Sequence, residues 1–332
     1  MVGVRSRRWG RLGVCLLVAA LALAGCGSPA PTASGPAGEG FPVTVSTAFG
    51  DVTVPSRPKR VVALGWGDAE VALMLGVQPV GAADWLPVGG DGVPPWVPPD
   101  ERYAAAPTML GTTEVNLEAL AALEPDLILD TRASGDRNRY QKLSSLGAPV
   151  VSIPRGGESY RTSWQQQLDL VGRALGRPAE AARVRADLDA RFRRAAAEHP
   201  EFAGKTAVVG SKTSRGYGAY VNGDSRVEFL QRLGFRQSPK VQQHAGSGFS
   251  LPISTERTDL LDADVTVLTP IGVPAEAITG DPLFRAVRSV RDGRSLVLSD
   301  PAVALAFASG TPGGLAHALD EVVPRLAQVV PR

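Results

Sequence analysis

The stretch Asn116-Leu117-Glu118-Ala119-Leu120-Ala121-Ala122-Leu123-Glu124-Pro125-Asp126-Leu127-Ile128-Leu129-Asp130 decides the architecture. Asn116 is a helix-capping residue, Glu118 puts a carboxylate in the first helical turn, and beyond Leu123-Glu124-Pro125 the chain enters an apolar strand over residues 126–130. The plan returns at a constant offset of 138 residues, from 116 to 254: Ser254-Thr255-Glu256 leads through Leu261-Asp262-Ala263-Asp264 into Val265-Thr266-Val267. A looser echo joins Gly67-Asp68 and Leu75-Gly76-Val77 to Gly223-Asp224 and Leu233-Gly234-Phe235. One helix-to-strand plan used twice predicts two lobes of the same build.

Further strands are expected at residues 60–64, 79–82 and 149–153 in the first lobe, and at 206–210, 265–269 and 295–299 in the second. They alternate with amphipathic helices, the pattern of an α/β fold with largely parallel sheets. Between the two sets Pro178 stands at a first-turn position, and Ala181, Val184, Leu188, Phe192 and Ala195 recur at three- and four-residue steps. The other face carries Arg183, Arg185, Asp187, Asp189, Arg191 and Arg193. A helix from Pro178 to Glu198 is thereby predicted, roughly 30 Å long at 1.5 Å per residue and able to bridge the lobes. A single stiff connector has few hinge dihedrals, so small closure motions are expected.

Arg5, Arg7, Arg8 and Arg11 precede an apolar run over residues 12–24, the layout of a signal peptide too short to span a bilayer permanently. The run ends in Leu23-Ala24-Gly25-Cys26, similar to the lipobox of bacterial lipoproteins, so residues 1–25 are expected to be removed and Cys26 to carry the lipid anchor. Losing four arginines and no acids turns the formal charge of +2 into −2, which argues against nucleic acid as a partner. With Cys15 in the leader and Cys26 lipidated, no disulfide can form. Residues 26–40 are Gly-, Pro- and Ala-rich and read as a disordered tether. The N-terminal lobe is expected over 41–160, a linking helical segment over 161–200 and the C-terminal lobe over 201–332.

Pro58-Lys59-Arg60-Val61-Val62, Gly111 and the Asn116 to Leu129 stretch resemble the ferric-siderophore and vitamin B12 class of periplasmic binding proteins, over about residues 43–326. The resemblance implies an α/β fold of two Rossmann-like lobes joined by one long helix, with the ligand cleft between the lobes. It also implies a monomer, lipid-anchored on the outer face of a bacterial cytoplasmic membrane. Such a protein needs no cofactor and passes a ferric siderophore to an ABC permease dimer with its ATPase subunits. In that family a glutamate on each lobe docks against permease arginines, and the matching residues here are Glu118 and Glu256. Helix capping alone would account for each glutamate singly, though not for their equivalent places in both lobes.

In open α/β sheets ligands lie beyond the carboxyl ends of the strands. The loops expected there carry Trp66, Trp85, Tyr103 and Arg132 in the first lobe and Arg215, Tyr217 and Tyr220 in the second, while Phe249 and Phe307 precede expected helices near the cleft. Trp96, between Pro95 and Pro98, suits either ligand contact or loop packing. Aromatics with a few arginines suit a large, partly apolar, often anionic chelate. Hydroxamate-binding relatives carry an arginine where this chain has Thr112, so the resemblance leaves the type of chelate open. Haem, with Tyr217 or Tyr220 on iron and Arg215 on a propionate, and cobalamin are the alternatives. No direct metal site is expected, because His199, His244 and His317 lie too far apart in the pattern to converge. An enzyme is disfavoured: there is no G-x-S-x-G elbow, phosphate loop or zinc signature, and Gly65-Trp66-Gly67 lacks the third glycine of a dinucleotide fingerprint.

Replacing Cys26 by Ser is expected to release the protein from the membrane fraction without disturbing its fold. A Cys26→Ser variant that stays membrane-bound through a detergent-free high-salt wash would show the anchor assignment to be wrong.

Overall fold

A computed structural model describes residues 40–331 apart from 87 and 247. Cys26 and nearly all of the tether lie outside the described residues. The strands are β1 (Val43–Thr47), β2 (Gly50–Val54), β3 (Val61–Ala63), β4 (Gly81–Ala82), β5 (Thr108–Met109), β6 (Leu127–Asp130), β7 (Val150–Ser152), β8 (Thr206–Thr213), β9 (Gly216–Tyr220), β10 (Arg236–Gln237), β11 (Ser250–Ile253), β12 (Val265–Pro270) and β13 (Ser295–Val297). The helices are α1 (Asp68–Met74), α2 (Leu117–Ala122), α3 (Arg137–Ser144), α4 (Trp164–Ala174), α5 (Pro178–Glu198), α6 (Ser225–Arg232), the short α7 (Pro239–Gln242), α8 (Glu276–Thr279), α9 (Pro282–Ala286) and α10 (Arg288–Arg291), then α11 (Pro301–Ser309) and α12 (Pro312–Val329).

The first lobe is built on a parallel sheet of order β5-β4-β3-β6-β7. The chain winds outward from β3 to β5, then returns to lay β6 on the other side of β3, so the order reverses between β3 and β6. The second sheet has β8 and β12 parallel at its centre, with β13 beyond β12 and β10 beside the start of β8. Its order reverses at β8 and β12. Both lobes thus follow the expected doubly wound plan, and each offers a crevice at the carboxyl ends of its central strands.

The sheets hold strands that the sequence reading does not predict, including the two-residue edge strands β5 and β10. Alternation of Val43, Val45, Val52 and Val54 with polar residues makes β1 and β2 an antiparallel hairpin, which buries Val45 and Val54 beneath α4 and β7. The second lobe also turns back after Thr213, adding β9 and β11 antiparallel to the end of β8. Short Gly- and polar-rich segments hide these strands from a search for apolar runs.

Helix α5 spans Pro178–Glu198, the predicted limits, with Pro178 in the first turn. Ala181, Leu188 and Phe192 are buried, with Val184 and Ala195 packed beside them, and the stripe faces α4, α6 and α12. Arg191 donates to the Asp320 carboxylate at 2.7 Å and to the Ala316 carbonyl at 3.1 Å, fastening α5 to α12. One apolar cluster runs from Val61 and Leu127 in the first sheet through α4, α5 and α12 to Val209 and Val267 in the second. The lobes therefore share a core behind the cleft.

Polar groups stitch the seam in front of that core. The Arg132 guanidinium donates to the Ser309 carbonyl at 2.7 Å. Glu70, on α1, accepts from the Thr311 hydroxyl at 2.7 Å and from the Trp96 indole at 3.0 Å. Burial pushes the Glu70 carboxyl up to about 7 and that of Asp68 up to about 6, against the hydrogen bonds that pull both down. Both groups keep their protons to a higher pH folded than unfolded, so the folded state binds more protons between about pH 5 and 7 and stability falls as pH rises through that window.

We expect the melting temperature to fall from pH 5 to pH 8, by an equivalent of about 1–3 kcal/mol. Glu70→Gln, which keeps an acceptor for Thr311 and Trp96, should flatten that slope and leave the share due to Asp68. An unchanged slope in Glu70→Gln would show that Glu70 is ionised throughout.

Candidate functional site

At the reversal between β3 and β6 the chain leaves both strands into tight loops held by Asp68, the first residue of α1. Its buried carboxylate accepts from the Gly65 N–H at 3.0 Å, the Thr131 N–H at 2.9 Å, the Gln167 amide at 2.7 Å, and from the Thr131 hydroxyl. Trp66, between these contacts, is pinned through its backbone: its N–H donates to the Arg132 carbonyl and its carbonyl accepts from Gln167, both at 2.8 Å. The glycines on either side are required by this crowding. A Cβ on Gly65 would lie 2.3 Å from the Asp68 carboxylate, and one on Gly67, at φ +82°, would lie 2.5 Å from the Thr311 methyl.

The fixed loop leaves the Trp66 side chain half-buried in an aromatic stack, its ring centroid 5.7 Å from that of Trp85 and 4.3 Å from that of Tyr160. Across from it the second lobe supplies the loop that follows β12, residues 270–275, the face of α11, Phe249 at the head of β11, and Tyr220 at the end of β9. Together these enclose a cavity of about 620 Å³ between the lobes, within the usual range for small-molecule sites. Arg226 also lines it, stacked 3.4 Å above the Tyr220 ring and paired bidentately with Asp224 at 2.8 and 2.7 Å. Asp224 caps α6 through the Arg226 N–H, and like Asp68 it follows a glycine of positive φ, Gly223 as against Gly67.

Of the residues expected at the ligand, Trp66, Trp85 and Phe249 line this cavity. The others lie elsewhere. Tyr103 packs with Trp96, Leu73, Val93 and Val97 in a separate cluster of the first lobe. Trp96 is a packing residue there, bonded to Glu70. Arg132 is buried behind the cavity, in the seam. Arg215 is exposed at the β8–β9 turn. Tyr217 is buried, its hydroxyl donating to Asp281 at 2.9 Å beside Lys212, because strand alternation turns it into the lobe's second core. Phe307 is fully buried, edge-on to Phe229, since it projects from the inner face of α11 while Ala304, Leu305 and Ala308 face the cavity.

Tyr217 and Arg215 of the haem alternative thus lie outside the cavity, whereas Tyr220, the other tyrosine considered for haem, lines it under the Arg226 guanidinium. Sequence reasoning missed Arg226 and the loop 270–275 as cavity residues. The echo at Gly223-Asp224 pointed to the right turn, but nothing in the sequence marked the following arginine.

Glu118 and Glu256 are both exposed in first helical turns, and neither lines the cavity. Asn116 caps its helix through the Ala119 N–H at 3.0 Å, whereas Ser254 makes no such cap. The Glu256 carboxyl is held below the usual range by a backbone hydrogen bond and by the hydroxyls of Ser254 and Thr255. Among the described residues no group of three or more His, Cys, Asp or Glu could hold a metal ion, and no helix is long and apolar enough to cross a membrane.

Comparison with known proteins adds to this geometry. Residues 61–302 match the profile of a family described as periplasmic binding proteins. The probable siderophore-binding lipoprotein YfiY of Bacillus subtilis is 28% identical over 307 residues, covering 86% of this chain and 88% of that one. The crystal structure of a periplasmic solute binding protein from Mycobacterium smegmatis superposes with a TM-score of 0.75 at 30% identity, over 87% of this chain and 99% of that one. Streptococcus pneumoniae PiaA in complex with ferrichrome shares the fold, with a TM-score of 0.72 at 24% identity over 87% of this chain and 98% of its own.

Proposed function

The chain belongs to the periplasmic binding protein family, and from that premise we propose that it is the lipid-anchored, extracytoplasmic binding component of an ABC importer, capturing a ferric siderophore. Residues 41–160 and 201–332 act as the two lobes, with 161–200 as their link. The observation that carries this reading is the 620 Å³ cavity in which both strand-order reversals meet, walled by the Trp66–Trp85 stack on one side and by Phe249 and the loop 270–275 on the other. Flat aromatic faces and aliphatic loops suit the organic shell of a chelate, which coordinates the iron itself, so the protein needs no metal ligands of its own. A relative of nearly the same length carrying a siderophore-binding name supports the same ligand class. The chemistry is capture and release, without turnover. Cys26 would tether the protein at the membrane, and Glu118 and Glu256 would meet cations of the permease.

Titration of the mature protein with a ferric siderophore should quench its tryptophan emission strongly, because Trp66 and Trp85 would flank a coloured, paramagnetic centre. Trp66→Leu with Trp85→Leu should remove most of that quenching and weaken binding by about 1–3 kcal/mol. Emission unchanged by every ferric siderophore but quenched by haem or cobalamin would assign the cavity to that other ligand.

Docking and capture are separable. Glu118→Lys with Glu256→Lys should bind the chelate as the parent does yet fail to support uptake or to stimulate the transporter's ATPase, since reversed charges would face permease cations. The fold should be little affected by the loss of two exposed first-turn carboxylates, which a melting measurement checks. Normal uptake by the folded, anchored double variant would reduce both glutamates to helix caps.

A further inference from the structure

The charges around the cavity are arranged in an unexpected way for a site that takes an anion. Arg226 is the one charged side chain among the described residues lining it, and its guanidinium is already matched edge-on by the Asp224 carboxylate, the pair being 11% and 5% exposed. Other cations near the lobes' strand ends are engaged too. Arg139 is paired bidentately with Asp130 at 2.8 and 3.0 Å and bonds the Thr112 carbonyl at 3.1 Å. Arg132 reaches the Ser309 carbonyl. Lys212, at the end of β8, pairs with Asp281.

The rest of the wall is mostly apolar, with Leu86, Val273, Leu305 and several prolines and alanines, and its other polar side chains, Tyr220, Thr269 and Ser299, are uncharged. Ile271, on the same loop, is 46% exposed, unusual for a large aliphatic side chain in this protein. It lines the cavity, where an apolar part of a ligand would cover it.

Resting on the reading of this cavity as a ferric-chelate site, we infer that it selects chelates of little or no net charge with aliphatic arms, of the uncharged tris-hydroxamate type, over trianionic catecholate or citrate complexes. Taking an anion out of water costs several kcal/mol per charge unless a free cation meets it, and here the lining cation is neutralised by its own neighbour. An uncharged chelate carries no such cost and gains from covering Ile271 and the tryptophan faces. Asp224 is then a specificity-determining residue, because it sets the charge that Arg226 presents to the cavity.

The test is a calorimetric titration of the mature protein with ferrichrome and cyclic ferrioxamine, both uncharged, and with ferric tris-catecholate and ferric dicitrate, at low and high salt. The uncharged chelates should bind at least about a hundredfold more tightly than the anionic ones, with an affinity that salt hardly alters. Asp224→Asn keeps an oxygen for the Arg226 N–H cap while freeing the guanidinium charge. It should raise affinity for ferric tris-catecholate about tenfold and leave ferrichrome within about twofold. Anionic chelates that bind as tightly as the uncharged ones, or binding that collapses as salt rises, would overturn the inference while leaving a ferric-chelate site in place. A folded Asp224→Asn variant whose affinity for ferric tris-catecholate relative to ferrichrome is unchanged would also overturn it. If haem or cobalamin binds and no ferric chelate does, the functional reading fails and this inference with it.

Discussion

The carboxylate of Asp68 joins four parts of the first lobe at one point. It takes hydrogen bonds from the loop leaving β3, from the loop leaving β6 and from α4, while its own backbone starts α1. Burial alone would leave such a group uncharged or unfolded, and the surrounding donors make it tolerable. The two loops it gathers are those at the reversal of strand order, where the sheet opens a crevice. Trp66 is held between them by its backbone, so its ring can face the cleft without being held by the core. The cavity's first wall thus depends on a buried polar contact that touches no ligand.

The second lobe solves the same problem differently. Gly223-Asp224 echoes Gly67-Asp68 in sequence and in backbone turn, but Asp224 spends its carboxylate on Arg226 and on the cap of α6. In one lobe the aspartate fixes loops; in the other it cancels a cation. Behind both, α5 and α12 carry a shared apolar core, and Arg132 and Glu70 cross the seam in front of it. That arrangement permits small adjustments about the cavity and opposes wide opening, which suits a protein that presents its ligand on a nearly fixed surface.

The sequence made the frame legible because the frame is periodic. Helix α5 could be placed from Ala181, Leu188 and Phe192 alone, and the parallel strands from short apolar runs that recur at matched offsets. β1 and β2 also have a period, the alternation of Val43, Val45, Val52 and Val54, but the polar residues between the valines break up the apolar runs by which the other strands are recognised. The site was legible only in part. Trp66, Trp85 and Phe249 sit on loops whose direction follows from strand order, whereas Tyr217 and Phe307 belong to elements whose facing depends on register. The pairing of Arg226 with Asp224 is a tertiary fact: two charges two residues apart can meet, or point apart, with equal ease in sequence. Arg132 and Arg215, which first suggested an anionic ligand, lie outside the cavity lining, the one in the buried seam and the other exposed at the β8–β9 turn.

The site assignment is tested most directly by diffraction at the iron absorption edge from crystals of the mature protein grown with ferrichrome. A single anomalous peak is expected inside the interlobe cavity, between the Trp66–Trp85 stack and the loop 270–275, with no protein atom coordinating the iron. An iron peak on the outer surface or beside Tyr217 and Asp281, with the cavity free of chelate, would contradict it.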